Sequence, residues 1–233
     1  MVTNLYKIIV NVLSGWLRKV LQDTIFLTQG AFVEGRQILD VVLIANELVD
    51  EKRRSREEGL VPKINFEKAN DNVDWDFLDH VLERKGFSSK WRSWMRGCLS
   101  LATFIILVNE NAKGWVKAYK GLRQGDPLSP FPFTLVTNVL SKLIVREKKR
   151  GLFKGFLVGR NRPECLIYNL QMTPFFFCRA SFEELHSLKL ILLVFGWLSE
   201  LRINLNKSTL SRINISQDQT ARLASLLDCA VSD

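Results

Sequence analysis

The chain has 233 residues, 47% hydrophobic and 10% aromatic, with 33 Lys+Arg against 24 Asp+Glu for a formal net charge of +9. That composition supports a packed core and argues against disorder, while the basic excess favours a polyanionic partner without choosing among RNA, DNA and an anionic membrane. The longest apolar runs, such as Leu190–Phe195 and Phe104–Val108, fall far short of a transmembrane span of roughly 18 residues. Lys7 and Arg18-Lys19 argue against a signal peptide, and four scattered cysteines (Cys98, Cys165, Cys178, Cys229) fit a reducing, intracellular setting rather than a disulfide or zinc framework.

Leu5, Ile8, Ile9, Val12, Leu13, Trp16, Leu17, Val20 and Leu21 have helical spacing, predicting a first helix over 5–21. A loop over Thr28–Gly35 and a second helix over Gln37–Lys52 follow, with residues 52–58 forming a solvated turn closed by Gly59. Leu60–Phe66 reads as a strand. Asn72 or Asp74 is placed to cap a helix through Trp75–Lys85, and Ser88 to cap another through Cys98. Thr103–Val108 and Trp115–Tyr119 flank Asn109–Gly114 as a hairpin. Leu128–Lys149 reads as a helix with Pro130 and Pro132 near its start. Gly155–Val158, Leu166–Leu170 and Phe175–Cys178 are short strand candidates. Ser181-Phe182-Glu183-Glu184 is a capping-box pattern opening a helix to about Leu198. Ile203–Ile215 is strand-like, and Gln217–Leu227 is a final helix. Mixed strands and helices in this order predict an α+β fold.

One stretch stands out: Gly121-Leu122-Arg123-Gln124-Gly125-Asp126-Pro127-Leu128-Ser129-Pro130. Glycines, prolines and an Arg-Gln pair interrupt an apolar context just before a long helix, and a loop so constrained is shaped to receive something. Gly125 and Pro127 set its backbone. The stretch from Lys142 to Arg162 carries Lys142, Arg146, Lys148, Lys149, Arg150, Lys154, Arg160 and Arg162 against Glu147 alone; it is either an exposed helix end and loop or a track for a nucleic-acid backbone. Trp91 and Trp94 are expected in the core rather than stacked on bases. His80 and His186 lie in separate helices without metal-ligand spacing and are expected at or near the surface.

The central loop resembles the template- and nucleotide-positioning loop of reverse transcriptases from plant non-LTR (LINE-type) retrotransposons. Further stretches resemble the same family in the same order. Gln29-Gly30-Ala31-Phe32-Val33-Glu34-Gly35-Arg36-Gln37-Ile38-Leu39-Asp40 is similar to its finger motif. Lys63-Ile64-Asn65-Phe66-Glu67-Lys68-Ala69-Asn70-Asp71 is similar to its first palm motif. Gly86-Phe87 with Trp91, Trp94 and Cys98-Leu99-Ser100 follows as in that family. Phe195-Gly196-Trp197-Leu198-Ser199 and Arg202-Ile203-Asn204-Leu205-Asn206-Lys207-Ser208 are similar to the later palm motifs.

The resemblance implies partial, mostly helical fingers over 1–60 and a palm over 61–233 of a right-hand polymerase, with the chain opening inside a finger motif and stopping before the thumb. It implies RNA-directed DNA polymerisation, with two magnesium ions held by carboxylates, on an RNA template or RNA–DNA duplex; no membrane or obligate protein partner is expected. Incomplete ends predict uncovered apolar faces and marginal stability. By the same resemblance Arg123, Gln124 and Gly125 are nucleotide-binding, joined by Asn70 at the aromatic position that excludes the ribose 2′ hydroxyl. Arg36, Lys68, Lys148, Lys149, Arg150 and Lys207 are candidate nucleic-acid contacts; Arg36 and Lys68 are equally readable as solvated cations, and Lys207 stands where the family has a later palm lysine sometimes credited with a general-acid role.

The departures from the family concern the metal ligands. Asn65 stands where the family has its first palm Asp. Asp71 remains but is not expected to point at the same site. Where the family has an Asp-Asp pair, this chain reads Gln171-Met172-Thr173-Pro174, about two residues short, and no acidic residue lies between Glu164 and Glu183. No intact catalytic or metal site is therefore expected, no cofactor is expected to bind, and the shortened hairpin is expected to risk its strand register. The reading is a degenerate, inactive copy of the polymerase; the alternatives are a non-catalytic nucleic-acid-binding remnant and a non-functional pseudogene product.

Overall fold

The structure, a computed structural model, describes residues 4–25, 37–101, 103–156, 167–170 and 173–232. Helices α1 (Asn4–Thr24) and α2 (Ile38–Ser55) come first, then strand β1 (Gly59–Lys63), helices α3 (Trp75–Arg84) and α4 (Ser89–Ser100), and the hairpin β2 (Thr103–Val108) and β3 (Asn111–Lys117). Helix α5 (Pro130–Lys149) precedes a second hairpin, β4 (Ile167–Leu170) and β5 (Thr173–Phe176). Helix α6 (Phe182–Ser199), strand β6 (Thr209–Ile213), helix α7 (Gln217–Leu227) and strand β7 (Ala230–Ser232) complete the described chain. The fold is α+β.

The main sheet has the order β4-β5-β1-β6-β7, antiparallel except for β6 with β7. Side chains alternate across it. Leu60, Phe176, Cys178 and Leu210 join the large core built with α1, α3, α5, α6 and α7. Val61 and Phe177 face the other way and pack with Leu48 of α2, Phe156 and Ile213. Both faces are covered, so β1 reads as a nearly continuous apolar run rather than an alternating one. Pro62 lies in this central strand with no N–H to donate. The amides of Leu60 and Ile64 reach Cys178 O at 2.9 Å and Pro174 O at 3.1 Å, so the missing N–H falls between them on the β5 side. Between β1 and β5 Lys63 stands opposite Phe175.

Local signals place the helix starts. Asp74, not Asn72, caps α3 by accepting from Phe77 N at 2.6 Å. Ser88 caps α4, and Ser181 accepts from Glu184 N at 3.1 Å to cap α6. The capping box is only half formed, because the Glu184 carboxylate turns away to accept from Lys154 N at 3.0 Å, Gly155 N at 3.4 Å and Arg179 N at 2.9 Å. Pro130 and Pro132 occupy the first turn of α5, where a missing N–H leaves no helical bond unmade.

Several expectations are corrected. The β2–β3 turn is Asn109-Glu110, with φ of 48° and 63°, and not the longer Asn109–Gly114 loop; two left-handed residues make a tight hairpin turn that matches strand twist. Ile203–Ile215 is not one strand: Ile203 makes a single bridge to Phe66, a 3-10 turn occupies Leu205–Lys207, and β6 follows. Phe175–Cys178 shifts toward Thr173, with Cys178 left as a bridge to Leu60. Of Gly155–Val158, Phe156 is a lone bridge residue and residues 157–158 lie outside the described part. The β4–β5 register is intact, Leu170 facing Thr173 and Ile167 facing Phe176. A change of two residues preserves the two-residue period of a strand, so no side chain is forced to the wrong face.

Apolar side chains also remain exposed. On α1, Val10, Leu13, Leu17 and Leu21 are buried, whereas Leu5, Ile8, Ile9, Val12 and Trp16 are not. Trp91 packs against the core beside Phe87, but Trp94 is exposed under the Lys90 ammonium, contrary to the core expectation for both. His80 and His186 are exposed, as expected. Among the described residues, no helix is long and apolar enough to cross a membrane.

Candidate functional site

The central loop sits against residues 70–75, just past the turn that follows β1. Gly121 N donates to Val73 O at 2.8 Å, Leu122 N to Asn70 O at 2.7 Å, and the Trp75 indole to Gly121 O at 2.7 Å. The approach is so close that a Cβ on Gly121 would lie 2.7 Å from Asp71 O, and its φ of +88° is itself a glycine conformation. The loop then fastens to itself. Asp126 Oδ1 accepts from Leu128 N at 2.9 Å, and Ser129 Oγ donates to Arg123 O at 2.6 Å. Gly125 has a φ of +79° with open space around it, so backbone geometry accounts for this glycine.

The loop forms one wall of an open cleft of about 620 Å³, with Tyr6, Asp71, Cys98 and Tyr119 among the other lining residues. Gln124 is exposed in this wall. Arg123 is engaged: its guanidinium lies 5.2 Å from the Tyr6 ring centre. The Tyr6 hydroxyl donates to buried Asp126, and burial together with that bond holds it protonated far above the usual range. Burial, and secondarily Asp126, also raises the Cys98 thiol. Tyr6 and Asp126 are thus part of the site although sequence reasoning passed over them. The only available signal was their placement, since a first-helix tyrosine and a loop aspartate become neighbours through tertiary folding alone.

Asn65 lies outside this cleft wall, just past β1. Its backbone is held from two sides: Asn204 N donates to Asn65 O at 2.7 Å, and Asn65 N donates to Ser208 Oγ at 3.0 Å. Its side chain is likewise used at both ends. Thr173 Oγ1 donates to Asn65 Oδ1 at 3.1 Å, and Asn65 Nδ2 donates to the Lys207 carbonyl. The fold therefore brings Asn65, at the position where the resemblance implies the first metal-binding Asp, against Thr173 of the shortened segment where it implies the Asp-Asp pair, and joins them by a neutral hydrogen bond. Asp71 is not with them; it lines the cleft with Gln124.

These residues do not fit a pair of magnesium ions, which take hard anionic oxygens in octahedral array. An amide, a hydroxyl and a proline ring supply no charge to offset the cations. Among the described residues, no group of three His, Cys, Asp or Glu side chains is placed to hold a metal ion.

The other candidate residues are dispersed. Asn70 contacts the loop through its carbonyl. Lys68 is exposed in the turn after β1, with a φ of 42°, and Lys207 is exposed in the 3-10 turn. Lys149 and Arg150 are exposed at the end of α5, with Lys148 half-buried beside them. Arg36 and Met172 lie outside the described residues, as does most of the finger motif.

The profile of a family described as reverse transcriptase (RNA-dependent DNA polymerase) matches residues 1–173. An uncharacterized mitochondrial protein of Arabidopsis thaliana is 44% identical over 59 residues, 25% of this chain and 48% of that protein. An uncharacterized 149 kDa protein of transposon TX1 from Xenopus laevis is 28% identical over 147 residues, 63% of this chain and 11% of that protein. The retrovirus-related Pol polyprotein of the type-1 retrotransposable element R2 from Nasonia vitripennis is 22% identical over 140 residues, 60% of this chain and 13% of that polyprotein. The chain spans about half of the first of these relatives and a much smaller share of the others.

Proposed function

The chain belongs to the reverse transcriptase (RNA-dependent DNA polymerase) family, and on that premise we propose that it is a nucleic-acid-facing piece of a non-LTR retrotransposon polymerase that no longer catalyses nucleotidyl transfer. The observation that carries this reading is the Asn65 side chain, bonded to the Thr173 hydroxyl and the Lys207 carbonyl where the family holds its metals. The retrotransposon origin is supported by the relatives from R2 and TX1.

In the family reaction, one metal activates the primer 3′ hydroxyl and the other holds the triphosphate and its leaving group. Each 1.36 kcal/mol of transition-state stabilisation is about a factor of ten in rate, so loss of all three carboxylates removes activity to background. The remaining parts are recognition parts. Gln124 is exposed to an incoming nucleotide, Arg123 can leave the Tyr6 ring for a phosphate, and the excess of basic residues favours a polyanion. The test is a primer-extension assay on an RNA template with magnesium, paired with equilibrium binding to the same primer–template. The expected result is salt-dependent binding without extension. Magnesium-dependent product above an empty-vector control overturns the inactive reading, and absence of binding overturns the nucleic-acid reading.

A further inference from the structure

The second half of α5 carries a basic face that the cleft does not use. Lys142, Arg146, Lys149 and Arg150, with Val145, line one shallow depression of about 360 Å³. Their spacing puts them on one side of the helix, each within a turn of the next. Ser141 and Ile144 are buried on the core side, so the helix cannot roll to hide the cations. Arg150 bonds Glu147 at 3.0 Å; among the described residues, no carboxylate pairs with Lys142, Arg146 or Lys149. Like charges at this spacing destabilise a helix, and among the described residues no carboxylate offsets those on Lys142, Arg146 and Lys149.

Charge–dipole attraction at a helix C-terminus explains only part of the cluster. It acts over the last turn, which holds Arg146, Lys148 and Lys149; Lys142 lies before it. Inward of Lys142 lies Lys85, whose ammonium burial first, and Lys142 second, push down to about 8. From Lys142 to Lys149 the helix rises about 10 Å, the length of roughly three phosphates at about 3.4 Å per nucleotide of a duplex strand.

We propose that this face is an accessory phosphate-binding surface that holds a nucleic-acid backbone outside the cleft. It lies far from the loop: Arg146 is about 24 Å along the helix from Pro130. The inference rests on the nucleic-acid reading above and adds a second point of contact to it. Lys148, half-buried, is not one of the residues lining this depression.

The test compares the full chain with its K142Q/R146Q/K149Q variant, using a labelled 20-nucleotide RNA and the matching RNA–DNA duplex across a range of KCl. Loss of three phosphate contacts makes the plot of log affinity against log salt shallower by about 2 and weakens binding by about tenfold or more. As a readout that needs no variant, bound RNA protects Lys142 and Lys149 of the unaltered chain from amine acylation. An unchanged slope, or acylation unaffected by RNA, overturns the accessory surface while leaving the cleft reading in place. No binding of RNA or duplex by the unaltered chain overturns both. Binding to phosphatidylserine vesicles but not to RNA reassigns the face to a membrane and also overturns the proposal.

Discussion

The Thr173 hydroxyl donates to Asn65 Oδ1 across 3.1 Å, joining the start of β5 to the chain leaving β1. These residues are far apart in sequence, and the sheet order β4-β5-β1-β6 brings them together. Here an amide and a hydroxyl satisfy one another, and Asn65 is part of the hydrogen-bonded framework.

Restoring one acid does not restore the site. Asn65→Asp removes the Nδ2 donor to the Lys207 carbonyl and sets two acceptors against each other at a solvent-accessible bond, which destabilises the protein by about 0.5–1.5 kcal/mol. Thermal unfolding checks the loss, expected at about 2–4 °C per kcal/mol for a chain of this size. Magnesium-dependent extension by the variant stays at background, because Thr173 and Pro174 offer no second carboxylate; a single substitution that brings activity back contradicts this account.

Gly121→Ala strikes the contact between the loop and residues 70–75. The new Cβ lies 2.7 Å from Asp71 O at a φ of +88°, a combination worth about 1–3 kcal/mol of destabilisation. Because the Trp75 indole bonds the Gly121 carbonyl, Trp75 fluorescence should report the displacement. Gly125→Ala, with open space at its Cβ, meets only the backbone term and loses less. Equal losses for the two variants would contradict the close-approach argument.

Glu184 is the buried anchor for three backbone amides, those of Lys154, Gly155 and Arg179. Glu184→Gln keeps the shape but replaces one acceptor oxygen with a donor, leaving at least one amide facing an N–H. A loss of about 2 kcal/mol is expected by urea denaturation. No change in the midpoint would show that the carboxylate is dispensable.

Stability should fall as pH rises through the alkaline range. Burial first, and then Glu184, Asp126 and Asp228 respectively, hold the thiols of Cys178, Cys98 and Cys229 above their ordinary value of 9.0, Cys229 at about 11. Above about pH 9 the unfolded chain releases thiol protons that the folded chain keeps, so folding loses ground with pH. Lys85 acts oppositely: it deprotonates near 8 when folded and near 10.5 when unfolded, so its contribution rises with pH in that window. Between about pH 8 and 9 the Lys85 gain opposes the thiol loss, and Lys85→Met removes that gain and steepens the fall above pH 9. Melting temperatures of the Lys85→Met variant, measured in reductant from about pH 9 to 10.5, decide it; a rising profile there contradicts the thiol burial.

Much of the fold was legible in the chain, and for local reasons. Helix starts at Asp74, Ser88 and Ser181 follow from side chains that bond amides three residues on, a relationship visible in any linear reading. Family membership was legible too, in five ordered motifs around Arg123-Gln124-Gly125. The absence of acids at Asn65 and Thr173 needed only the letters. The destinations of side chains did not follow from them. Glu184 completes a capping box by pattern yet binds Arg179 N and the 154–155 amides; β7 adds to the sheet beside β6 with no predictive signal. Tyr6 meets Asp126, and Asn65 meets Thr173. Residue order determines which groups are available and which local bonds they can close. Long-range bonds depend on sheet order and helix packing, which set distances between positions that the chain leaves far apart, so only the tertiary structure decided that Asn65, Thr173 and Lys207 form a closed, neutral hydrogen-bonded joint.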